Sequence, residues 1–307
     1  MSSPEQQTSS QTPDISIVIP TFNHAKFLAA ALQSIKIQSF QNWEAVIVNN
    51  FSTDETLQII ASFNEPRFRV INFQNNGVIA ASRNEGTRHS NASLIAFLDS
   101  DDIWYVDKLS QCIGELQKGN DVVCHGEKWV SANSRSRDIV YGPRSNATHD
   151  NLLYGGNCLS TSATIVRKTI LETVGGFSED PRFTTAEDYE LWMKIAKVTN
   201  KFVFIREILG EYRRHELGAS SAVERHLTAE LAVVNHHILL SDKEDFLSFK
   251  ARNRKAKALY SAGRTCMRTN DYSRATGFFL KAIIKSPFLM RSYVALCLTA
   301  IRWTVKR

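Results

Sequence analysis

No run of eighteen uncharged apolar residues occurs anywhere in this 307-residue chain, which excludes a transmembrane helix of ordinary length. Its opening residues, MSSPEQQTSSQTPD, lack the basic-then-apolar order of a secretory signal, so the chain is expected in the cytoplasm. Cysteine is scarce and poorly placed for staples. The five (Cys112, Cys124, Cys158, Cys266 and Cys297) are odd in number, far apart and never spaced CxxC, which argues against a disulfide framework or structural zinc. Hydrophobic residues make up 43% and charged residues 22%, so neither wholesale disorder nor a collagen-like or coiled-coil rod fits.

Acid is what the tail lacks. Residues 221–307 hold 16 Lys and Arg against 6 Asp and Glu, whereas residues 1–220 hold 21 against 25. An acidic body with a basic tail differs from a uniformly basic nucleic-acid binder, and no nucleic-acid partner is expected. The tail is instead where an anionic membrane surface or a protein partner would bind, which would make the chain peripheral at the inner face of a membrane. Three segments follow: a disordered leader at 1–13, a body at 14–220 and a helical region at 221–307.

Within the body, strand and helix patterns alternate. Ile15 to Ile19, Glu44 to Val48, Phe68 to Phe73 and Leu94 to Leu98 read as strands. Helical spacing fills residues 24–38, the segment after Thr53 or Asp54, and residues 77–90. Such alternation predicts an α/β fold with a mainly parallel sheet covered by helices. Ligands of such sheets lie beyond the carboxyl ends of the strands. Polar residues gather there: Thr21 to Asn23, Asn49 to Asp54 and Asp99 to Asp102. In the tail, Leu259, Gly263, Ala275, Phe279, Ala282 and Pro287 match one tetratricopeptide unit over 256–287, or simply a helical hairpin. Residues 288–307 form either an interfacial helix or a core helix with a basic end.

Two acidic groups carry candidate chemistry. Asp99-Ser100-Asp101-Asp102 follows a strand directly, and three carboxylates in four residues suit oxygen ligation of Mg2+ or Mn2+ beside phosphate. They equally suit a helix start at Asp101 or Asp102, running through Ile103 to Leu116. Glu187-Asp188 precedes another helix and reads either as a cap or as a general base among Phe183, Tyr189 and Trp192.

Taken in order, these motifs resemble the family-2 glycosyltransferases, inverting enzymes with the GT-A fold. The resemblance runs over roughly residues 14–220. Ile17 to Asn23 is similar to the family's opening strand and turn, Val48 to Asp54 to its nucleotide-base turn, and Asn76-Gly77 with Ala81 to Gly86 to its helix beside the nucleotide. Asp99-Ser100-Asp101-Asp102 stands at the DxD motif, Gly175-Gly176-Phe177 and Glu187-Asp188 at the acceptor loop and base, and Tyr212 to His215 at the closing segment. The resemblance implies a Rossmann-like mixed sheet plus the helical tail. It implies donor contacts from Pro20, Thr21, Asn23, Asn49, Asn50, Asp54, Arg83, Asn84, Asp99 and Ser100. Asp101 and His215 would hold Mn2+ or Mg2+, Asp188 would be the base, and Gly176, Phe177, Glu187 and Trp104 would face the acceptor.

The implied reaction moves a sugar from a nucleotide diphosphate donor to a saccharide or lipid-linked acceptor, as in cell-surface polysaccharide or lipopolysaccharide synthesis. One departure bears on the nucleotide. Asn49-Asn50 stands where the family often has paired Asp, and an amide suits uracil or thymine better than the adjacent donors of guanine. This leans toward a uridine or thymidine diphosphate sugar, with a UDP-sugar favoured. Trp104, Trp129, Phe183 and Trp192 are candidate stacking platforms for a sugar. The competing classes are a nucleotidyltransferase, which would want a Gly-rich basic loop after the first strand, and a non-catalytic scaffold on a degenerate GT-A fold.

Overall fold

The computed structural model describes residues 12–131, 134–214, 222–241 and 248–305. The leader, apart from its last two residues, and His215 lie outside them.

The first four strands are β1 (Ile15–Thr21), β2 (Trp43–Asn49), β3 (Phe68–Asn72) and β4 (Leu94–Phe97), joined by helices α1 (Ala25–Lys36), α2 (Thr56–Ser62) and α3 (Ile79–Arg88). They pair in parallel in the order β3-β2-β1-β4. Beyond β4 the sheet turns mixed. β5 (Ile103–Trp104), α4 (Lys108–Gln117), β6 (Val122–Ser131), β7 (Ser134–Ile139), α5 (His149–Gly155), β8 (Thr164–Arg167), α6 (Lys168–Thr173), α7 (Glu187–Val198) and β9 (Phe202–Arg214) complete the body. β8 pairs antiparallel with both β4 and β6, and the order ends β8-β6-β9-β5, with β7 added to β6.

Side-chain alternation along the strands explains the layers. Ile15, Ile17 and Ile19 point to one face, where Ala45, Ile47 and Ala96 meet α1 and α4 through Leu28, Leu32, Ile35, Leu109 and Ile113. Val18, Ile95, Phe97 and Val166 point to the other, under α3, α5 and α7. Gly86 is where α3 lies closest to β1: a Cβ there would collide with Val18, so glycine sets the helix height over the strand ends.

The expected helix from Ile103 is corrected. Residues 103–104 form a short edge strand against Gly210 and Glu211 of β9, and α4 begins only at Lys108. Asp102 therefore caps nothing. Its carboxylate is buried and accepts from Ser162 Oγ at 2.6 Å and from the Arg213 amide at 3.0 Å. That anchorage pulls the chain into the sheet where a helix would have carried it away.

The tail is helical as expected: α8 (Val223–Ser241), α9 (Phe249–Arg268), α10 (Tyr272–Lys285) and α11 (Met290–Val305). Val233, Val234 and Ile238 of α8 and Ala251 of α9 enter the core of the body, so that core continues past residue 220 into the helical region. α9 and α10 form a hairpin in which Gly263 lies against the Phe279 ring. Ser248 and Asp271 cap their starts through Ala251 N and Arg274 N.

Candidate active site

Hydrogen bonds between loops bring the ends of β1, β2 and β4 into one crevice. Asn23 accepts from Thr53 N at 2.8 Å, and its own amide donates to Ser52 Oγ at 2.9 Å. His24 Nδ1 lies 2.7 Å from Ser100 Oγ, joining the β1 loop to the DxD segment. Asp54 accepts from Ala25 N at 3.0 Å and from Thr56 Oγ1 at 2.5 Å, tying the starts of α1 and α2 together. Burial pushes the Asp54 carboxyl up, and the bonds from Thr56 and Ala25 outweigh it, so its pKa lies below the usual carboxylate value. Asn50 accepts from Asn75 N at 3.0 Å.

Several expected contact residues turn out to build the crevice walls. Asn49 is buried, donating to Asn72 Oδ1 at 2.7 Å and accepting from Ser52 N at 3.0 Å. Pro20 and Thr21 are buried at the end of β1, with the Thr21 hydroxyl lacking a partner. Asn84 clamps the glycine loop, accepting from Phe177 N and donating to Phe177 O, both at 2.9 Å. Gly176 has φ +68°, and a Cβ there would sit 2.6 Å from Asn84 Oδ1.

Two acceptor-side expectations are corrected by burial. Phe177 is 3% exposed and stacks edge-on against Phe97. Trp104 is 1% exposed, donates from Nε1 to Ser162 O at 2.7 Å and carries Lys108 over its ring. Neither offers a face to a sugar. Phe183 and Trp192 are buried too, which leaves half-buried Trp129, tilted on Tyr212 at 5.3 Å, among the stacking candidates.

The charged centre is Arg83. Its guanidinium, 3% exposed, donates from Nη2 to Asp99 Oδ1 at 2.7 Å and from Nη1 to Glu187 Oε1 at 2.6 Å. One cation thus links the DxD strand end to the start of α7. Burial opposes its charge, yet the two carboxylates more than offset this and raise its pKa above the ordinary arginine value. Glu187 Oε2 also accepts from Thr185 N at 2.7 Å, so it orders the loop ahead of α7.

Asp188 stands next to that bridge and is half-buried. Oδ1 accepts from Tyr189 N at 2.7 Å, whereas Oδ2 has only longer contacts, 3.3 Å to Thr161 Oγ1 and 3.5 Å to Asn157 Nδ2. Burial, then the neighbouring Glu187 charge, raises its pKa to about 6 against the pull of Arg83. A carboxylate tuned upward with one loosely held oxygen suits proton abstraction. Asp102 is held well above the usual carboxylate range by burial and by Asp101, Glu127 and Asp99.

Of the DxD acids, Asp99 and Asp101 are partly exposed and Asp102 is turned inward. Among the described residues, no three His, Cys, Asp or Glu side chains form a metal-ligating group. An all-oxygen pair of carboxylates still fits a hard cation that takes its remaining ligands from water and phosphate. Arg213, whose Nε donates to Asp101 O and whose amide donates to Asp102, fixes this turn from β9. Ser162, which accepts from Asp99 N at 3.1 Å, and Thr161 were not legible, because nothing in Ser160-Thr161-Ser162 marks a strand-end partner.

Residues 16–175, just over half of the chain, match the family model described as "Glycosyl transferase family 2". The chain belongs to that family. The UDP-Glc:alpha-D-GlcNAc-diphosphoundecaprenol beta-1,3-glucosyltransferase WfgD of Escherichia coli is 29% identical over 186 residues, which cover 61% of this chain and 71% of that protein. The putative teichuronic acid biosynthesis glycosyltransferase TuaG of Bacillus subtilis (strain 168) is 26% identical over 205 residues, 66% and 79% of the two chains. Among solved structures, S. aureus TarS 1-349 in complex with UDP-GlcNAc has a TM-score of 0.60 at 20% identity, covering 91% of each chain. The mannosyltransferase PcManGT from Pyrobaculum calidifontis, in complex with GDP-Man and Mn2+, has a TM-score of 0.61 at 18% identity, covering 96% of this chain and 81% of that one. Both have the fold of this chain, a GT-A glycosyltransferase fold with a helical extension.

Proposed function

We propose that this glycosyltransferase moves a sugar from a UDP-sugar to a saccharide or lipid-linked acceptor in polysaccharide synthesis, by one inverting displacement. The observation that supports the reading is the Arg83 bridge, which ties Asp99 to Glu187, the sequence neighbour of Asp188. In this reading Asp99 faces the donor and Asp188 the acceptor. Asp188 Oδ2 accepts the proton of the acceptor hydroxyl. That oxygen bonds to the anomeric carbon as the bond to the diphosphate breaks, and the nucleoside diphosphate leaves. Attack from the side opposite the leaving group inverts the configuration.

Asp99 holds the donor's ribose, and the β1 and β2 loops around Asn23 and Asn50 surround the nucleoside. Asp101 would hold Mg2+ or Mn2+, with His215 as a further candidate ligand. The cation would neutralise charge developing on the diphosphate. Asn50 favours uridine. Its carboxamide oxygen is taken by Asn75 N, so the group it can offer a base edge is the donor Nδ2. Uracil presents acceptors there, whereas guanine presents adjacent donors. The UDP-linked names of WfgD and the TarS complex support the same choice. α11 supports a peripheral membrane location, since Met290, Val294 and Ile301 are exposed on it near Arg291 and Arg302.

The test is donor hydrolysis across a panel of nucleotide sugars with manganese, magnesium or chelator. The expected result is metal-dependent release from a UDP-sugar, lost in Asp101→Ala. Tightest binding of GDP in a competition assay would sink the uridine assignment, and release unaffected by Asp101→Ala would sink the metal site.

A further inference from the structure

The donor chemistry leaves one feature of the basic tail unused. A cavity of about 700 Å3 opens between the end of α5, the outer half of α9 and the start of α11, with Lys257, Arg264, Arg268 and Arg291 in its lining. Among the described residues, none that lines it is acidic. Among the described residues the arginine ion pairs of the tail engage Arg254 and Arg274 instead. Arg264 Nη1 donates to Tyr260 Oη at 2.9 Å, but its buried Nε has no partner. Burial, then Arg137, Arg214 and Arg264, depress the Arg268 pKa, and burial, then Arg254 and Arg291, depress that of Lys257. Cations gathered without a counter-charge repel one another, and an anion in the cavity relieves that repulsion.

Two short chain links connect the cavity lining to the segment that holds the candidate base. Gly155 lines it, and Asn157, two residues on, contacts Asp188. Arg254, one helical turn before the lining residue Lys257, places Nη2 3.3 Å from the hydroxyl of Tyr189, the residue that follows Asp188 in the chain. At the mouth, Phe288 is 79% exposed and Met290 66% exposed. Guanidinium forks suit phosphate oxygens, and the exposed apolar pair suits a hydrocarbon chain.

We propose that this cavity binds the phosphate or diphosphate of the acceptor, so that the sugar attached to it reaches Asp188 while its apolar portion lies over Phe288 and Met290. The inference rests on Asp188 being the base. It assigns the acceptor class as a sugar phosphate or diphosphate with an apolar tail, and it gives the tail's positive charge a catalytic purpose.

The experiment titrates inorganic pyrophosphate into the full chain in chelator, in wild type, Asp101→Ala and the double variant Arg264→Gln/Arg268→Gln. The expected result is equal binding in wild type and Asp101→Ala and at least tenfold weaker binding in the double variant. UDP binding with manganese should cross the other way, weakened in Asp101→Ala and retained in the double variant. Thermal melts establish that the double variant is folded, and Arg291→Gln repeats the test from a separate helix. Equal pyrophosphate affinity in wild type and both cavity variants overturns the proposal. Absence of pyrophosphate binding, combined with loss of phosphatidylglycerol-vesicle flotation in the double variant, also overturns it and makes the cavity a lipid headgroup site. Failure of UDP to bind wild type would defeat the donor reading while leaving the pyrophosphate result standing.

Discussion

Arg83 and Arg268 carry the same group in opposite company. Arg83 is shut into the α/β body between Asp99 and Glu187, each within 2.7 Å, and its charge is fully matched. Arg268, on α9, is flanked by Arg137, Arg214 and Arg264, and its charge is met by more of its own sign. A matched buried ion holds geometry, because moving either carboxylate leaves a charge uncompensated. An unmatched cluster cannot hold geometry that way. Among the described residues no carboxylate pairs with it, and an anion from outside the chain would offset its charge. The acidic crevice is therefore built to be rigid, and the basic cavity is built to be filled.

The largest effect that sharpens this contrast is expected from Arg83→Gln. Buried Glu187 and partly exposed Asp99 lose their cation, so unfolding in urea should show a loss of about 3–5 kcal/mol. Donor hydrolysis should fail with it, since Asp99 and α7 lose their common tether. Any residual activity should have its acid limb moved to higher pH, because Arg83 is what pulls the Asp188 pKa down. A loss below about 1 kcal/mol would place Arg83 with the surface pairs and end the comparison.

Next in size is Asp188→Asn, which keeps the shape and removes the base. Transfer to an acceptor should fall by about 10²–10⁴-fold, with thermal stability nearly unchanged. In the wild type the base works only ionised. With the pKa raised to about 6, the transfer rate should hold above that pH and fall tenfold per unit below it. Water replaces the acceptor in hydrolysis, so that reaction should suffer less in the variant. An acid limb that persists in Asp188→Asn would assign the titration to another group.

The parallel half of the fold was legible because its strands are short apolar runs between helical patterns, each with its polar end on one side. β5 was not. Asp102 looks like a helix-capping acid in sequence, and only its long-range bonds to Ser162 and Arg213 keep residues 103–104 in a strand. The DxD pair and Glu187-Asp188 were visible as acidic clusters, but Arg83 as the link between them was not, since its partners lie 16 and 104 residues away. Trp104, Phe183 and Trp192, offered as stacking platforms, were misread for a related reason. An aromatic beside a functional motif looks like a platform until burial shows that both its faces are taken.

The smallest effect concerns α11, where the tail meets whatever lies outside. Met290, Val294, Leu298 and Ile301 recur at near four-residue intervals and are all exposed, forming one apolar stripe. Val294→Ser/Ile301→Ser should leave folding stability within about 0.5 kcal/mol, since neither side chain is buried in the chain itself. The same pair should weaken flotation on phosphatidylglycerol vesicles roughly tenfold. Complete burial of such side chains contributes about 1.5–3 kcal/mol each, and an interface realises part of that. If stability drops and flotation does not, the stripe packs against protein, and the tail becomes a second matched surface like the one around Arg83. Flotation lost at constant stability would keep the two regions distinct, with the crevice closed on its own charges and the tail open to an anionic, apolar partner.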